Sequence, residues 1–290
     1  MAGENLAGQP HIAAIHDISC VGRCSLTVAL PVLSAAGIET SILPTAILST
    51  HTGGFQNYTY RDLTADILPI ARHWKSLNLC FDAIYTGFLG SFEQLTIVRQ
   101  VFDLFSDKRC LRFVDPVMAD HGRLYQSFQQ DYIAGMADFC RSADVITPNI
   151  TEAVFMLGMP YRPGPYSEQY ITDLLKRLAE FGNRYVVLTG VHYDQAHLGA
   201  AAYHCETDTF SYAFSSAVAG CYHGSGDVFA STLLAGLLNN LEMEEALRIA
   251  VDFTAACIRS TRTAGIDVRY GLNFEGNLPV LMESLGKFKK

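Results

Sequence analysis

Residues 111–152 read LRFVDPVMADHGRLYQSFQQDYIAGMADFCRSADVITPNITE, and a β-α-β unit is legible in them. Leu111–Val114 is an apolar run of strand length, Tyr132–Arg141 repeats its apolar residues at helical spacing, and Val145–Thr147 is a second short apolar run. A crossover helix between two strands makes them parallel. Parallel sheets are covered by helices on both faces, so the unit implies a layered α/β fold.

The same rhythm extends outward. Upstream, His11–Ile15, Thr40–Leu48 and Ala83–Thr86 read as strands, and Ser25–Ala36 (closed by Gly37), Leu63–Lys75 and Phe92–Phe105 as helices. Downstream, Tyr185–Thr189 is a strand with an apolar VVL centre. Gly199–His204 and Phe210–Phe214 flank the polar CETDT as an antiparallel hairpin at the sheet edge, before helical Asp227–Leu238 and Met243–Thr263. The Pro- and Gly-containing stretch Met159–Pro165 is the one flexible insert expected, too short to divide domains. The expectation is one α/β domain over residues 1–290, with a mostly parallel central sheet, helices on both faces and a late antiparallel edge hairpin.

Composition narrows the function. Lys+Arg number 21 against 29 Asp+Glu, a formal charge of −8, which argues against nucleic-acid binding. The hydrophobic fraction of 49% with 17% charged residues is that of a chain that folds. No apolar stretch has the length to span a bilayer, and MAGENLAGQP has neither the basic region nor the apolar core of a leader, so a cytoplasmic protein is expected. The eight cysteines are scattered, without a CxxC pair, and read as reduced, buried thiols.

Familiar signatures are missing: there is no GxxxxGK[ST], HExxH or GxSxG, and the sole GxG, Gly224–Gly226, lacks a third glycine at Phe229. What stands out is Ser216–Thr232, SAVAGCYHGSGDVFAST, where small residues run into a helix. A helix start exposes unpaired N–H groups and partial positive charge, so Gly224, Ser225 and Gly226 can cradle an anion while Asp227 stands beside it as a base. Equally, Asp227 can be a plain helix cap.

Asp115-Pro116-Val117-Met118-Ala119-Asp120 and Thr147-Pro148-Asn149-Ile150-Thr151-Glu152 each leave the end of a strand, where open parallel sheets collect ligands. Asp115, Asp120, Glu152 and Asn149 suit a hard, oxygen-liganded cation such as Mg²⁺, which would let an acidic protein hold ATP. The alternatives stay open. Asn149 or Thr151 can cap the next helix, Glu152 can complement its dipole, and Asp115 before Pro116 can simply end a strand.

The ordered set DPVMAD, TPNITEA and GSGD, with AIHDISCVGRCS, LSTHTGG and YTGFLGS, resembles the ribokinase superfamily and specifically its vitamin B6 kinases. The resemblance spans nearly the whole chain. It implies a ribokinase-like fold, ATP and Mg²⁺ as cofactors, a homodimer, and phosphorylation of the hydroxymethyl group of pyridoxal, pyridoxine or pyridoxamine; a monovalent-cation requirement stays open. It implies Asp227 as catalytic base, with Gly224, Ser225 and Gly226 in the anion hole. Asp115, Thr147, Asn149 and Thr189 match nucleotide positions, and Asp115, Asp120 and Glu152 metal positions, Glu152 acting through metal-bound water. Asp17, Thr45, His51 and Phe88 match the pyridine-ring site, although Asp17 stands where a serine, and Phe88 where a tyrosine, is usual. His121 and Arg123 match a flap over ATP, or are solvated loop charges; His16 reads as a packed residue. A hydroxymethylpyrimidine kinase shares this chemistry, and a non-catalytic B6-binding relative would share the fold but gain nothing from Asp227.

Overall fold

A strand covered on both sides sends alternate side chains into opposite layers, and this alternation organises the molecule. The computed structural model describes residues 8–106 and 109–287; Met1–Ala7, which carry most of the segment read for a leader, lie outside them. In β1 (His11–Ser19), Ala13 and Ile15 join one apolar core and Ile12 the other. β4 (Ala83–Thr86), β5 (Leu111–Val114) and β8 (Val145–Ile146) divide likewise: Ile84, Val114 and Ile146 face one layer, Tyr85, Phe113 and Val145 the other.

Two further strands, β2 (Glu39–Leu48) and β3 (Tyr60–Asp62), lie beyond β1. β9 (Tyr185–Val191), β10 (His197–His204) and β11 (Thr209–Ser216) lie beyond β8. Among the described residues, nine strands form one sheet in the order β11-β10-β9-β8-β5-β4-β1-β2-β3. From β2 through β9 the neighbours are parallel. The expected hairpin is β10–β11, antiparallel on one edge. The opposite edge is antiparallel too, because β3 pairs with β2. Sequence reading missed β3 for a physical reason: all three of its residues are exposed and offer no apolar pattern.

One layer contains α1 (Leu26–Ala35), α7 (Ser225–Leu238), α8 (Met243–Thr263) and α9 (Leu278–Ser284). The other contains α2 (Thr64–Ser76), α3 (Phe92–Leu104), α4 (Gln130–Cys140), α5 (Ile150–Met156) and α6 (Glu168–Ala179). A small hairpin, β6 (Ala119–Asp120) with β7 (Arg123–Leu124), rises from the β5 exit. The first crossover leaves β1 toward β2; later strands accumulate on the β4 side. β1 and β4 therefore flank a topological switch point, where ligands settle at the strands' carboxyl ends.

No helix among the described residues is long and apolar enough to cross a membrane. The cysteines are free, as expected, but only Cys110, Cys140 and Cys257 are buried; Cys20, Cys80 and Cys221 are exposed. The stretch around Met159–Pro165 is anchored by Tyr161, whose ring sits where a Cβ on Gly122 would fall, 2.5 Å away.

Candidate active site

Buried polar atoms without partners gather where the topology points. Both ring nitrogens of His16 and the hydroxyls of Thr45, Thr50 and Thr86 are buried and unpaired at the ends of β1, β2 and β4. Such atoms are rare in folded proteins and mark places that a ligand or water completes. His16 packs edge-on against Tyr85, with ring centroids 4.4 Å apart, and burial lowers its pKa to about 3. It is a neutral packed residue, as the sequence suggested.

Asp227 lies at the third position of α7, not at its cap. The cap is Gly224, in the left-handed region at φ 77, which has no side chain to accept from the helix's first amides. Only glycine fits at 224, because a Cβ there would lie 2.2 Å from the Arg23 carbonyl. The helix also starts two residues before the predicted Asp227 boundary, so the amides around Gly226 belong to its open first turn. The Asp227 carboxylate turns toward α1, accepting from the Ser25 N–H at 2.9 Å and the Cys24 thiol at 3.4 Å. Ser25, the α1 cap, holds φ 54 without being glycine. Strain on the order of 1 kcal/mol is stored there while its amide points at the acid.

Burial, with the charge of Asp17 adding to it, raises the Asp227 carboxyl to about 6, against the pull of the Ser25 amide and Cys24 thiol. Asp115, just past β5, faces the same turn: its Oδ2 lies 3.9 Å from where a Cβ on Gly226 would be. Burial and the negative Asp227 push Asp115 up to about 8, eased by the Thr147 hydroxyl. Burial likewise raises Asp17, whose Oδ2 accepts from the Ser19 hydroxyl.

Thr147-Pro148-Asn149 leaves β8 into α5, and here the structural alternative holds. Asn149 caps α5 with its carbonyl oxygen and donates from its amide to the Ala119 carbonyl at 2.8 Å. Both ends of that side chain are engaged, so the predicted nucleotide contact of Asn149 is not what orients it. Thr151 accepts from the Gly122 amide. Glu152 closes the capping box on the Asn149 amide and accepts from the Met118 and Ala119 amides at 3.0 and 3.4 Å. Burial and neighbouring Asp115 nonetheless raise its carboxyl well above the usual range. Thr189 in β9 bridges to Asn149 and donates its amide to the Pro148 carbonyl, so the β8 and β9 exits lie side by side.

The donor atoms of the predicted metal trio, Asp115, Asp120 and Glu152, do not all lie within 4.8 Å of one another, so the three do not all reach one ion directly. Among the described residues, the metal-capable side chains whose donor atoms come within 4.8 Å of one another are Asp120, His121 and Cys221, not Asp115, Asp120 and Glu152. Asp120 stands on the β6–β7 hairpin, and its Oδ1 accepts from the His121 amide. Asp115 and Glu152 do couple electrostatically, and no Lys or Arg among the described residues pairs with them, Asp17 or Asp227. Uncompensated buried carboxylates of this kind fit a hard divalent cation. Asp115 has oxygens to offer it directly, whereas Glu152, already holding three amides, fits contact through a water.

The ring-site residues divide. Asp17 and Thr45 are buried near the ends of β1 and β2. His51 accepts from the Gly53 amide at Nδ1, so Nε2 carries the proton and donates to the Arg269 carbonyl at 2.5 Å. With both nitrogens engaged, His51 presents ring surface rather than a hydrogen bond. It packs against Phe55 and His223, and Phe55 against Tyr270, giving a wall from segments far apart in sequence. Phe88 joins an aromatic row with Phe128 and Tyr132. Sequence reading missed Ser25, Cys24, His223 and Tyr60, whose hydroxyl lies 2.9 Å from where a Cβ on Gly90 would be. No local pattern could have found the first two, which reach Asp227 across more than 200 residues. Arg123 is exposed beside His121 on the hairpin.

Residues 30–271 match the phosphomethylpyrimidine kinase family. The crystal structure of a Bacteroides thetaiotaomicron protein in an orthorhombic form with pyridoxal is 35% identical, with TM-score 0.89, covering 94% of this chain and 96% of that one. Pyridoxal kinase from Lactobacillus plantarum is 30% identical, with TM-score 0.86, covering 97% and 99%. The pyridoxine/pyridoxal/pyridoxamine kinase of Bordetella avium is 26% identical over 282 residues, 90% of each chain. The chain belongs to the phosphomethylpyrimidine kinase family, shares the ribokinase-like fold of pyridoxal kinases, and is a phosphotransferase acting on an alcohol group.

Proposed function

We propose that the protein transfers the γ-phosphoryl of ATP to the hydroxymethyl group of a B6 vitamer: pyridoxal, pyridoxine or pyridoxamine. The observation that carries this reading is the placement of Asp227, drawn off its own helix by Ser25 and set beside the open amides of α7. The pyridoxal in the Bacteroides thetaiotaomicron structure, at 35% identity, supports the choice of acceptor.

An alcohol is far more basic than a carboxylate, so Asp227 orients the hydroxyl and accepts its proton late, as the bond to phosphorus forms. A carboxyl near 6 is ionised at neutral pH and still basic enough for the task. The amides of Gly224, Ser225, Gly226 and Asp227 face the equatorial oxygens of the phosphoryl in flight, where preorganised donors act most strongly. Asp115, with Glu152 through water and Asp120 from the hairpin, would hold Mg²⁺, which supplies positive charge to the nucleotide phosphates. Thr147 and Thr189 stand on the nucleotide side. Asp17 meets the ring's polar edge, Thr45 lines the ring site, His51 offers its ring surface, and Phe88 closes the far side.

Hydroxymethylpyrimidine as acceptor is the second reading, favoured by the description of the matching family. An ADP-release assay with the three vitamers, hydroxymethylpyrimidine and a sugar panel, with and without Mg²⁺, separates the two. A B6 vitamer is expected to give the highest kcat/KM; preference for the pyrimidine would overturn the acceptor assignment and leave the phosphotransfer chemistry intact.

A further inference from the structure

Of the trio Asp120, His121 and Cys221, Asp120 is assigned to Mg²⁺ above and His121 is matched only to a flap over ATP, while Cys221 has no role. Asp120 ends β6 and His121 opens the turn of the β6–β7 hairpin, and the third member stands three residues before the α7 cap Gly224. Their donor atoms all lie within 4.8 Å of one another, although the segments are 100 residues apart. Asp120 Oδ1 is fixed by the His121 amide at 2.8 Å, which leaves Oδ2 facing His121 Nε2 at 3.5 Å. Metal–oxygen and metal–nitrogen bonds of ~2.0–2.2 Å at the tetrahedral angle place two donors ~3.3–3.6 Å apart. The observed separation therefore already matches one edge of a zinc tetrahedron.

We propose that Asp120, His121 and Cys221 form a site for a borderline-soft divalent cation, Zn²⁺ by class, that ties the hairpin to the segment leading into the α7 anion hole. Carboxylate, imidazole and thiolate are the donor set zinc takes, whereas Mg²⁺ prefers oxygen alone. Binding releases the Cys221 proton to solvent and forms the metal–sulfur bond; the fourth position stays open to water. Occupancy has a second consequence, which rests on the kinase reading. Asp120 held by zinc is withdrawn from the oxygen set assigned to Mg²⁺, and the hairpin is pinned next to Gly224, so Zn²⁺ slows turnover.

The test begins without catalysis. Full-length, tag-free protein is titrated with Co²⁺ under reducing conditions. A thiolate-to-cobalt charge-transfer band is expected to saturate at one equivalent and to vanish on adding Zn²⁺. Cys221→Ser should abolish the band and Cys20→Ser should keep it. His121→Ala should weaken Zn²⁺ binding by more than the ~10–100-fold that outer-shell changes cost. Zn²⁺ should raise the melting temperature of the wild type and leave that of Cys221→Ser unchanged. No band in the wild type, or one that survives Cys221→Ser, would overturn the site and leave an ordinary Asp120–His121 ion pair with a bystander thiol. At saturating Mg-ATP, Zn²⁺ should inhibit the wild type but not Cys221→Ser, whose metal-free activity is unchanged. Equal inhibition of both proteins would overturn the assignment of the inhibitory ion to this trio, whatever the acceptor proves to be.

Discussion

Helices α5 and α7 both start at the ligand-facing end of the sheet, and both carry an acid at their third position, Glu152 in one and Asp227 in the other. The two acids do opposite things. Glu152 folds back onto its own cap, and its oxygens take the amides of Asn149, Met118 and Ala119. Asp227 finds a cap with no side chain, leaves its own amides open, and is held instead by Ser25 of α1. What separates the ends is the capping residue. Asn149 closes a reciprocal box, whereas Gly224 admits the Arg23 backbone and leaves donors facing outward. A closed helix start fixes a loop; an open one can bind a phosphoryl group.

The harshest break of this contrast is Asp227→Asn. Removing the base is expected to lower kcat by about 10³-fold while ligand affinity, measured by calorimetry, changes little. The same substitution should stabilise the protein. A carboxyl whose pKa rises from 3.8 to about 6 on folding costs stability once pH passes its unfolded value, and the neutral amide avoids that cost. The gain at pH 8, read by denaturant melts, should approach about 3 kcal/mol, the free-energy equivalent of raising the carboxyl from 3.8 to about 6. A variant that keeps wild-type kcat would dismiss Asp227 as base.

Glu152→Ala should show the reverse balance. Three backbone amides lose their acceptor, which at ~1 kcal/mol or more each costs about 2–4 kcal/mol. Activity, assayed where the variant remains folded, should fall far less than in Asp227→Asn. If Glu152→Ala melts like the wild type but is inactive, the acid of α5 acts chemically and the contrast collapses.

How much of this the sequence disclosed follows from the range of the interactions. The β-α-β rhythm was readable because apolar periodicity is local, and it placed Asp115 and Thr147 at strand exits, while Asp227 was read from the start of the late helix. β1 runs four residues past the expected Ile15, which sets Asp17 within the strand. Helix α6 was missed although Ser167 caps it and Ile171, Leu174, Leu175 and Leu178 recur at helical spacing. That signal was present, obscured by the Pro- and Gly-rich run before it. Whether Asp227 caps its own helix was not readable, because the Ser25 amide that holds its carboxylate lies 202 residues away. Asn149 and Glu152 were ambiguous for a related reason: capping and ligation use the same atoms, and only three-dimensional partners distinguish them.

The pH profile sharpens the comparison without mutation. Because its pKa is raised, Asp227 is protonated below about 6 and ionised above, so kcat should fall as pH drops through about 6. Stability should move oppositely. The contribution of this group is most favourable at acidic pH and is lost as pH rises between 3.8 and about 6, and Asp227→Asn should remove that component of the curve. An acid limb centred near 4 would mean that the bound state leaves Asp227 no more buried than an ordinary surface carboxylate.

The finest adjustment is Cys24→Ala. The Cys24 thiol donates to Asp227 Oδ2 at 3.4 Å and favours the ionised carboxylate, working with Ser25 against burial. A thiol is a weak donor, and ~0.5 kcal/mol, the low end for a hydrogen bond, corresponds to ~0.4 of a pKa unit. Its loss should therefore move the acid limb of kcat upward by about 0.4 pH unit, leaving the plateau above pH 8 unchanged. Among the described residues only backbone amides hold the acid of α5, so the shift isolates what the neighbouring helix contributes to Asp227. A plateau that falls with an unmoved limb would show that Cys24 packs the site without tuning it.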